Sequence, residues 1–312
     1  MNYIYEFENW LNEEFEYSEQ TVRTYKFALN NLIKWYESTD GKPFIPGDIT
    51  TLHIHDFKTY MDKVEKKDPN TINKNIYAIK TYYKLALNHN IVSYDPTQKI
   101  RLKRINQAQG EVRWLSKKEV ASIFHAIEVE YEKKIRKDSK GGFKPLRDRA
   151  ICRLMQGAGL RISEVFNLHD SDISLKNKCE DVTIRNGKGD AFRIVPLNRD
   201  VIEALSSYLD ARGTSKSGYL FESTKGTQLT EPAIRKIVKK YAKKAGILDV
   251  TPHRLRHTFG KLLADQGVSL NRIAYLLGHN SLESTRIYIM PSKKDARKDV
   301  NSISEIRDDN DY

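Results

Sequence analysis

Only one stretch of this 312-residue chain alternates apolar and polar residues: "DVTIRNGKGDAFRIVPL", residues 181–197. Alternation on both sides of "NGKGD" is the period of a pleated strand, and the Asn and Gly residues between supply turn chemistry, so a β-hairpin is expected. Elsewhere the apolar residues recur at intervals of three and four, the period of a helix. One hairpin cannot close a barrel or build a sandwich. The expected fold class is therefore mainly α, with a small antiparallel β-sheet or hairpin set among helices.

The first ~105 residues read as helices. Ser18 stands as N-cap before "EQTVRTYKFALNNLIKWYES", where Val22, Tyr25, Leu29, Leu32 and Ile33 recur at helical spacing. "GKPFIPGD" ends that helix with two prolines and two glycines, and "TTLHIHDFKTYMDKVEKK" offers a shorter one. In "DPNTINKNIYAIKTYYKLALNHN", Ile72, Ile76, Ile79, Tyr83 and Leu87 form an apolar stripe, with Lys74, Lys80 and Lys84 off it. "YDPTQKIRLKRINQAQGEVRW" has no helical period and reads as a basic, polar linker. Beyond it, Ser116 and Glu119 fit a capping box that opens a second domain.

Charge narrows the class of partner. The net charge is +12, and residues 58–104 hold 11 basic side chains against 4 acidic ones, while residues 111–312 carry +11. Two basic regions flanking an interdomain segment suit a polyanion gripped from two sides. Cys152 and Cys179 are too few for a disulfide framework and do not form a metal-ligand spacing. No run reaches the length of a membrane helix, and "MNYIYEFENW" is unlike a signal peptide, so a cytoplasmic protein is expected.

"TPHRLRHTF", residues 251–259, concentrates His253, Arg254, Arg256 and His257 at a helix start. Thr251 is the expected cap, with Pro252 at the first helical position. At ~100° per residue, Leu255, Phe259, Leu262 and Leu263 share the core side, while His253 and Arg256 sit side by side at its edge. First-turn amides and the helix dipole favour an anion there. His253 and His257 have the spacing of a zinc helix, but Arg254 replaces the glutamate of that motif, and two arginines beside a divalent cation are unfavourable. "NGKGD" lacks the spacing and following helix of a nucleotide loop. No metal and no cofactor are expected.

"GAGLRISEV", "HRLRHTF" and "LLGHNSLESTRIYI", in that order with a hairpin lysine between, resemble the signature of the tyrosine recombinase (phage integrase) family, of its simple Xer and Cre type. "TINKNIYAIKTYYKLAL" is similar to that family's N-terminal DNA-clamping domain. The resemblance covers nearly the whole chain. It implies a helical, SAM-like DNA-clamp domain of four to five helices over residues 1–108, a linker over 109–114, and a catalytic domain with a C-terminal tail over 115–312.

Position by position, the resemblance gives Arg161 as the first catalytic arginine and Glu164 as the acid supporting it. It gives Lys188 as general acid, His253 and Arg256 as the His-x-x-Arg pair, His279 as the second histidine and Tyr288 as nucleophile. His257 is expected to buttress the site. Lys74, Lys80, Lys84, Arg101, Lys103 and Arg104 are candidate DNA contacts. The chemistry implied is strand cutting and rejoining through a 3′-phosphotyrosyl link, independent of metal and ATP, for integration, excision or resolution of a mobile element or replicon dimer. The partners implied are double-stranded DNA with paired inverted sites and a homotetramer on it, in the cytoplasm with the nucleoid, with the segment "SKKDARKDVNSISEIRDDNDY" a candidate for docking on a neighbouring subunit.

Two departures from the pattern stand out: residues 128–144 look longer than usual before the first arginine, and "YIMPSKKD" is not the commonest continuation after the tyrosine. Two other functions use some of the same features. A type IB topoisomerase shares the residues but acts on one strand. A non-catalytic DNA-binding protein accounts for "SLNRIAYLLGHNSLESTRIYI" as a helix-turn-helix, but gives Arg161, Lys188 and Tyr288 no reason to coincide.

Overall fold

The computed structural model describes residues 3–15, 17–104, 114–137, 142–175, 180–185, 192–279, 281–289, 297 and 300–301. The chain divides into two compact units, Met1–Gly110 and Glu111–Tyr312.

The first unit is a bundle of four α-helices among the described residues: α1 (Tyr3–Glu14), α2 (Glu19–Asp40), α3 (Thr51–Lys63) and α4 (Pro69–Asn88). Capping side chains set the helix starts. Ser18 Oγ accepts from the Thr21 amide, Thr50 Oγ1 from His53, and Asp68 Oδ1 from Thr71 ahead of Pro69 at the first turn. Between α2 and α3 the two prolines leave only a short 3-10 turn, Pro46–Asp48. The shared core holds Leu29 and Leu32 of α2, Ile54 and Phe57 of α3, and Ile72, Ile76, Ile79 and Tyr83 of α4. Leu87 departs from the expected stripe. It is exposed, and Leu85 and Ala86 take the inward positions. At ~100° per residue the buried positions of α4 span a sector of ~180° from Leu85 round to Ile76, and Leu87 falls ~20° beyond the Ile76 edge.

The second unit opens with α5 (Lys117–Lys137), capped by Ser116 and Glu119, whose reciprocal bonds to each other's amides measure 3.2 and 2.7 Å. α6 (Phe143–Gly157) is its central helix, buried along Ala150, Ile151, Leu154 and Met155, and packed by α5, by α8 (Arg199–Arg212), by α9 (Glu231–Lys244) and by α10 (Pro252–Asp265). The short α7 (Ile162–Asn167) follows α6. A three-stranded antiparallel sheet, ordered β1 (Ile173–Ser174), β2 (Asp181–Arg185) and β3 (Phe192–Pro196), stands between α7 and α8. β2 and β3 are the two arms of the expected hairpin, in register Val182↔Val195 and Ile184↔Arg193. β1 is a further strand. Two residues long, it has no period to read. α11 (Leu270–Leu277) and α12 (Glu283–Arg286) complete the unit. Among the described residues no helix is long and apolar enough to cross a membrane.

Candidate active site

Thr251 Oγ1 accepts from the Arg254 amide 3.2 Å away, and Pro252 occupies the first turn, so α10 begins where the cap chemistry requires. The helix turns Leu255 and Arg256 inward together, at 1 % and 2 % exposure. A guanidinium buried this deeply needs acceptors on its fork. Arg256 donates Nη1 to the Gly159 carbonyl at 2.8 Å and Nη2 to the Leu277 carbonyl. Burial first, then repulsion from Arg161, holds its pKa down at about 10, against the opposing pull of Glu164.

Arg161 is the N-cap residue of α7, one turn ahead of Glu164. The Glu164 carboxylate accepts from the Arg161 amide and from its Nη1, each at 2.7 Å, while Arg161 Nη2 donates to the Gly278 carbonyl. Glu164 also faces Arg256 Nη1 at 3.7 Å. Burial alone would raise this carboxyl. The hydrogen bonds and charge of Arg193, with the amide and charge of Arg161, outweigh it and hold the group below the ordinary carboxylate range.

Arg193 is the residue the sequence reading missed. It lies on β3, 6 % exposed, on the same inward face as Val195, while Ile194 between them points outward. Its Nη1 and Nη2 each reach a different oxygen of Glu164 at 2.9 Å, and its Nε reaches the Leu276 carbonyl at 3.0 Å. The strand alternation held the signal, because an inward-facing arginine in a hairpin must have a buried partner. Identifying that position needed the register.

α11 ends at Gly278, whose φ of +61° is the left-handed cap geometry that favours glycine. A Cβ there would also lie 2.5 Å from Arg193 Nη1. His279 follows directly. Its Nδ1 pairs with Thr285 Oγ1 at 2.8 Å, a partner that no sequence pattern announced. Burial, then Arg256 and Arg161, push its pKa down to about 4. His253 is lowered for the same reasons in the same order.

Tyr288 is 1 % exposed, and its hydroxyl meets Nδ1 of His257 at 2.8 Å. Its ring stacks with that of His279 at 6.3 Å between centroids, and the His257 ring lies 5.9 Å from that of His253. Gly260 makes room for it, since a Cβ at 260 would fall 2.7 Å from Cζ of the tyrosine. Burial raises the phenol to about 12 even though Arg256 and Arg161 draw it down. His257 is pushed down to about 4 by burial, then by His253 and Arg256.

Arg161, Glu164, His253, Arg256, His257, His279 and Tyr288 thus form one linked cluster. Lys188 lies outside the described residues. The six candidate DNA contacts differ from one another. Lys74, Lys84, Arg101 and Arg104 are exposed. Lys80 instead gives its ammonium to the Thr97 carbonyl at 2.9 Å, and Lys103 pairs with Asp62. An acid with charged hydrogen-bond donors and a tyrosine gathered around one point can receive an anion and stabilise charge that develops on it.

Two family models match the chain. The model described as Phage integrase family matches residues 113–295, and that described as Phage integrase, N-terminal SAM-like domain, matches residues 7–92. Tyrosine recombinase XerC of Leptospira interrogans is 27% identical over 293 residues, covering 92% of this chain and 88% of that protein. Tyrosine recombinase XerA of Pyrococcus furiosus is 30% identical over 289 residues, covering 91% and 87%. The crystal structure of XerH site-specific recombinase bound to a palindromic difH substrate shares the fold at a TM-score of 0.71 and 23% identity, covering 91% of this chain and 79% of that one.

Proposed function

Because the chain belongs to the phage integrase family, the tyrosine recombinases, we propose that it cuts and rejoins DNA at specific sites through a 3′-phosphotyrosyl intermediate on Tyr288. The observation that carries this reading is one linked set: Tyr288 bonded to His257 and stacked on His279, beside Arg256 and Arg161, which Glu164 holds.

The scissile phosphodiester carries one negative charge and gains another in the pentavalent transition state. Arg161, still 34% exposed, and Arg256 supply its non-bridging oxygens with the N–H groups not held by Glu164 and the Gly159, Leu277 and Gly278 carbonyls, and His279 adds a third donor. Donors already in place stabilise that charge without reorganising. Tyr288 Oη forms the new bond to phosphorus as the bond to the 5′-oxygen breaks. The phenol proton passes to His257, the ring already bonded to its oxygen, with the His253 ring stacked beside it. Lys188 protonates the departing 5′-oxygen, help worth ~10²–10⁴-fold. The phosphotyrosyl ester keeps the bond energy, and a second strand's 5′-hydroxyl reverses the step without ATP.

In this reading residues 1–108 clamp the duplex, 109–114 link, and 115–312 carry out the chemistry. Exchange between two duplexes requires two subunits on each paired inverted site and four in all, with the C-terminal segment docking onto a neighbour, in the cytoplasm with the DNA. The test is covalent capture. Duplex enriched by the protein from a randomised pool is nicked near the cut position so that the freed end diffuses away. Wild type should form a denaturant-resistant adduct at Tyr288, and Tyr288→Phe should bind the same duplex and form none. An adduct with the Phe variant would refute the assignment.

A further inference from the structure

Three arginines from three elements converge on one turn of backbone. Leu276, Leu277 and Gly278, at the end of α11, give their carbonyls in sequence to Arg193, Arg256 and Arg161. A helix C-terminus offers such orphan acceptors and a partial negative charge. That cannot balance three guanidiniums, and the remaining counter-charge is Glu164, whose side chain is 7% exposed. Arg161 and Arg256 each spend one nitrogen on it, at 2.7 and 3.7 Å. Arg193 alone commits its whole fork, one nitrogen to each oxygen at 2.9 Å. It faces inward at 6% exposure, with all three of its nitrogens engaged.

We propose that Arg193 is a positioning residue for strand cleavage: it locks Glu164 in a forked ion pair, so that Arg161 and Arg256 stay aimed at the phosphate, and it ties β3 to the end of α11. This rests on the recombinase reading above. β3 is paired with β2, and Lys188 lies between the two in sequence.

The role has a signature that packing alone lacks. The charged groups facing Glu164 are Arg161 from the start of α7, Arg256 from α10 and Arg193 from β3. Without Arg193 the buried carboxylate loses its forked partner, and desolvation favours the protonated form. A neutral carboxyl no longer holds Arg161. Cleavage then depends on an ionisation absent from the wild type, with activity present at high pH and lost as pH falls.

The measurement is the single-turnover rate of adduct formation per folded molecule on the enriched, nicked duplex, from about pH 5.5 to 9, across the range into which a buried carboxyl rises. Wild type, R193K, R193M, E164Q and the R193M/E164Q double variant are compared, with duplex affinity measured alongside. R193M should lose about 10²-fold in rate near neutrality, the size of effect misplacement brings, with affinity retained and a rate that climbs with pH. R193K, which keeps the charge but cannot fork, should fall between. E164Q and R193M/E164Q should have matching rates and share a flat profile. If R193M does not fold, R193K carries the same comparison. An R193M or R193K profile of wild-type shape, or a double variant slower than E164Q, overturns the proposal while leaving the recombinase reading intact. A wild type that forms no adduct overturns both.

Discussion

The hydroxyl of Tyr288 and Nδ1 of His257 lie 2.8 Å apart inside the second unit, joining a phenol raised to about 12 to an imidazole lowered to about 4. Both groups are therefore neutral throughout the physiological range, and the contact is an ordinary hydrogen bond rather than an ion pair. Removing the ring leaves the buried hydroxyl without its partner, at a cost of about 1–3 kcal/mol. His257→Phe should lower the unfolding free energy by that amount and slow adduct formation, with duplex binding retained. Denaturant titration and the capture assay report the two effects separately.

The lowered histidines fix the sign of a pH effect on stability. For His257 and His279 the folded values lie near 4, below the ordinary value of 6.5, so the unfolded chain binds more protons between them. The stability they contribute is complete above the unfolded value and is lost as pH falls through 6.5 toward 4. Tyr288 acts at the other end: above pH 10 the unfolded phenol ionises first, and stability falls again. Thermal melts across pH should peak between these limits, and replacing both histidines by Phe should flatten the acid side.

Gly260 sits beneath the tyrosine ring, with no room for a methyl group. Gly260→Ala should destabilise by about 1–3 kcal/mol, as overpacking does, and should displace Tyr288. A melt shifted down together with a slower cleavage rate is the expected pair. An alanine variant with both unchanged would mean that the ring yields freely.

Arg256→Lys keeps a charge but loses the fork that spans the Gly159 and Leu277 carbonyls. Cleavage should fall by about 10²–10³-fold, the usual loss on removing one oxyanion donor. Duplex affinity should change little.

The lysines of the first unit should separate by assay. Lys74 and Lys84 are exposed, and replacing either with alanine should reduce the slope of log affinity against log salt by about 1. Lys80→Ala should instead loosen the Thr97 segment that its ammonium holds, and appear as a lower melting temperature.

Much of this is legible in the sequence. Ser18, Ser116 with Glu119, and Thr251 with Pro252 announced helix starts because capping is local chemistry, and each cap is in place. The hairpin arms were visible through their alternation. What escaped were contacts between distant positions. Arg193 and Glu164 are 29 residues apart and meet only once β3 is registered on β2. Thr285 beside His279 looks like any other threonine in a helix turn. The inward turn of Lys103 and Lys80 depends on the Asp62 carboxylate and the Thr97 carbonyl, groups from other segments that no periodicity pairs with them.

The three carbonyls at the end of α11 belong to adjacent residues, so their spacing is set by covalent geometry and cannot drift independently. Guanidiniums from α7, β3 and α10 are all gauged against that single ruler. Sliding α11 by a fraction of an ångström would detune all three at once and carry His279 along, since it is the next residue. The site is consequently built to be either aligned or misaligned as a whole, and a partner that grips α11 would work the entire cluster with one lever.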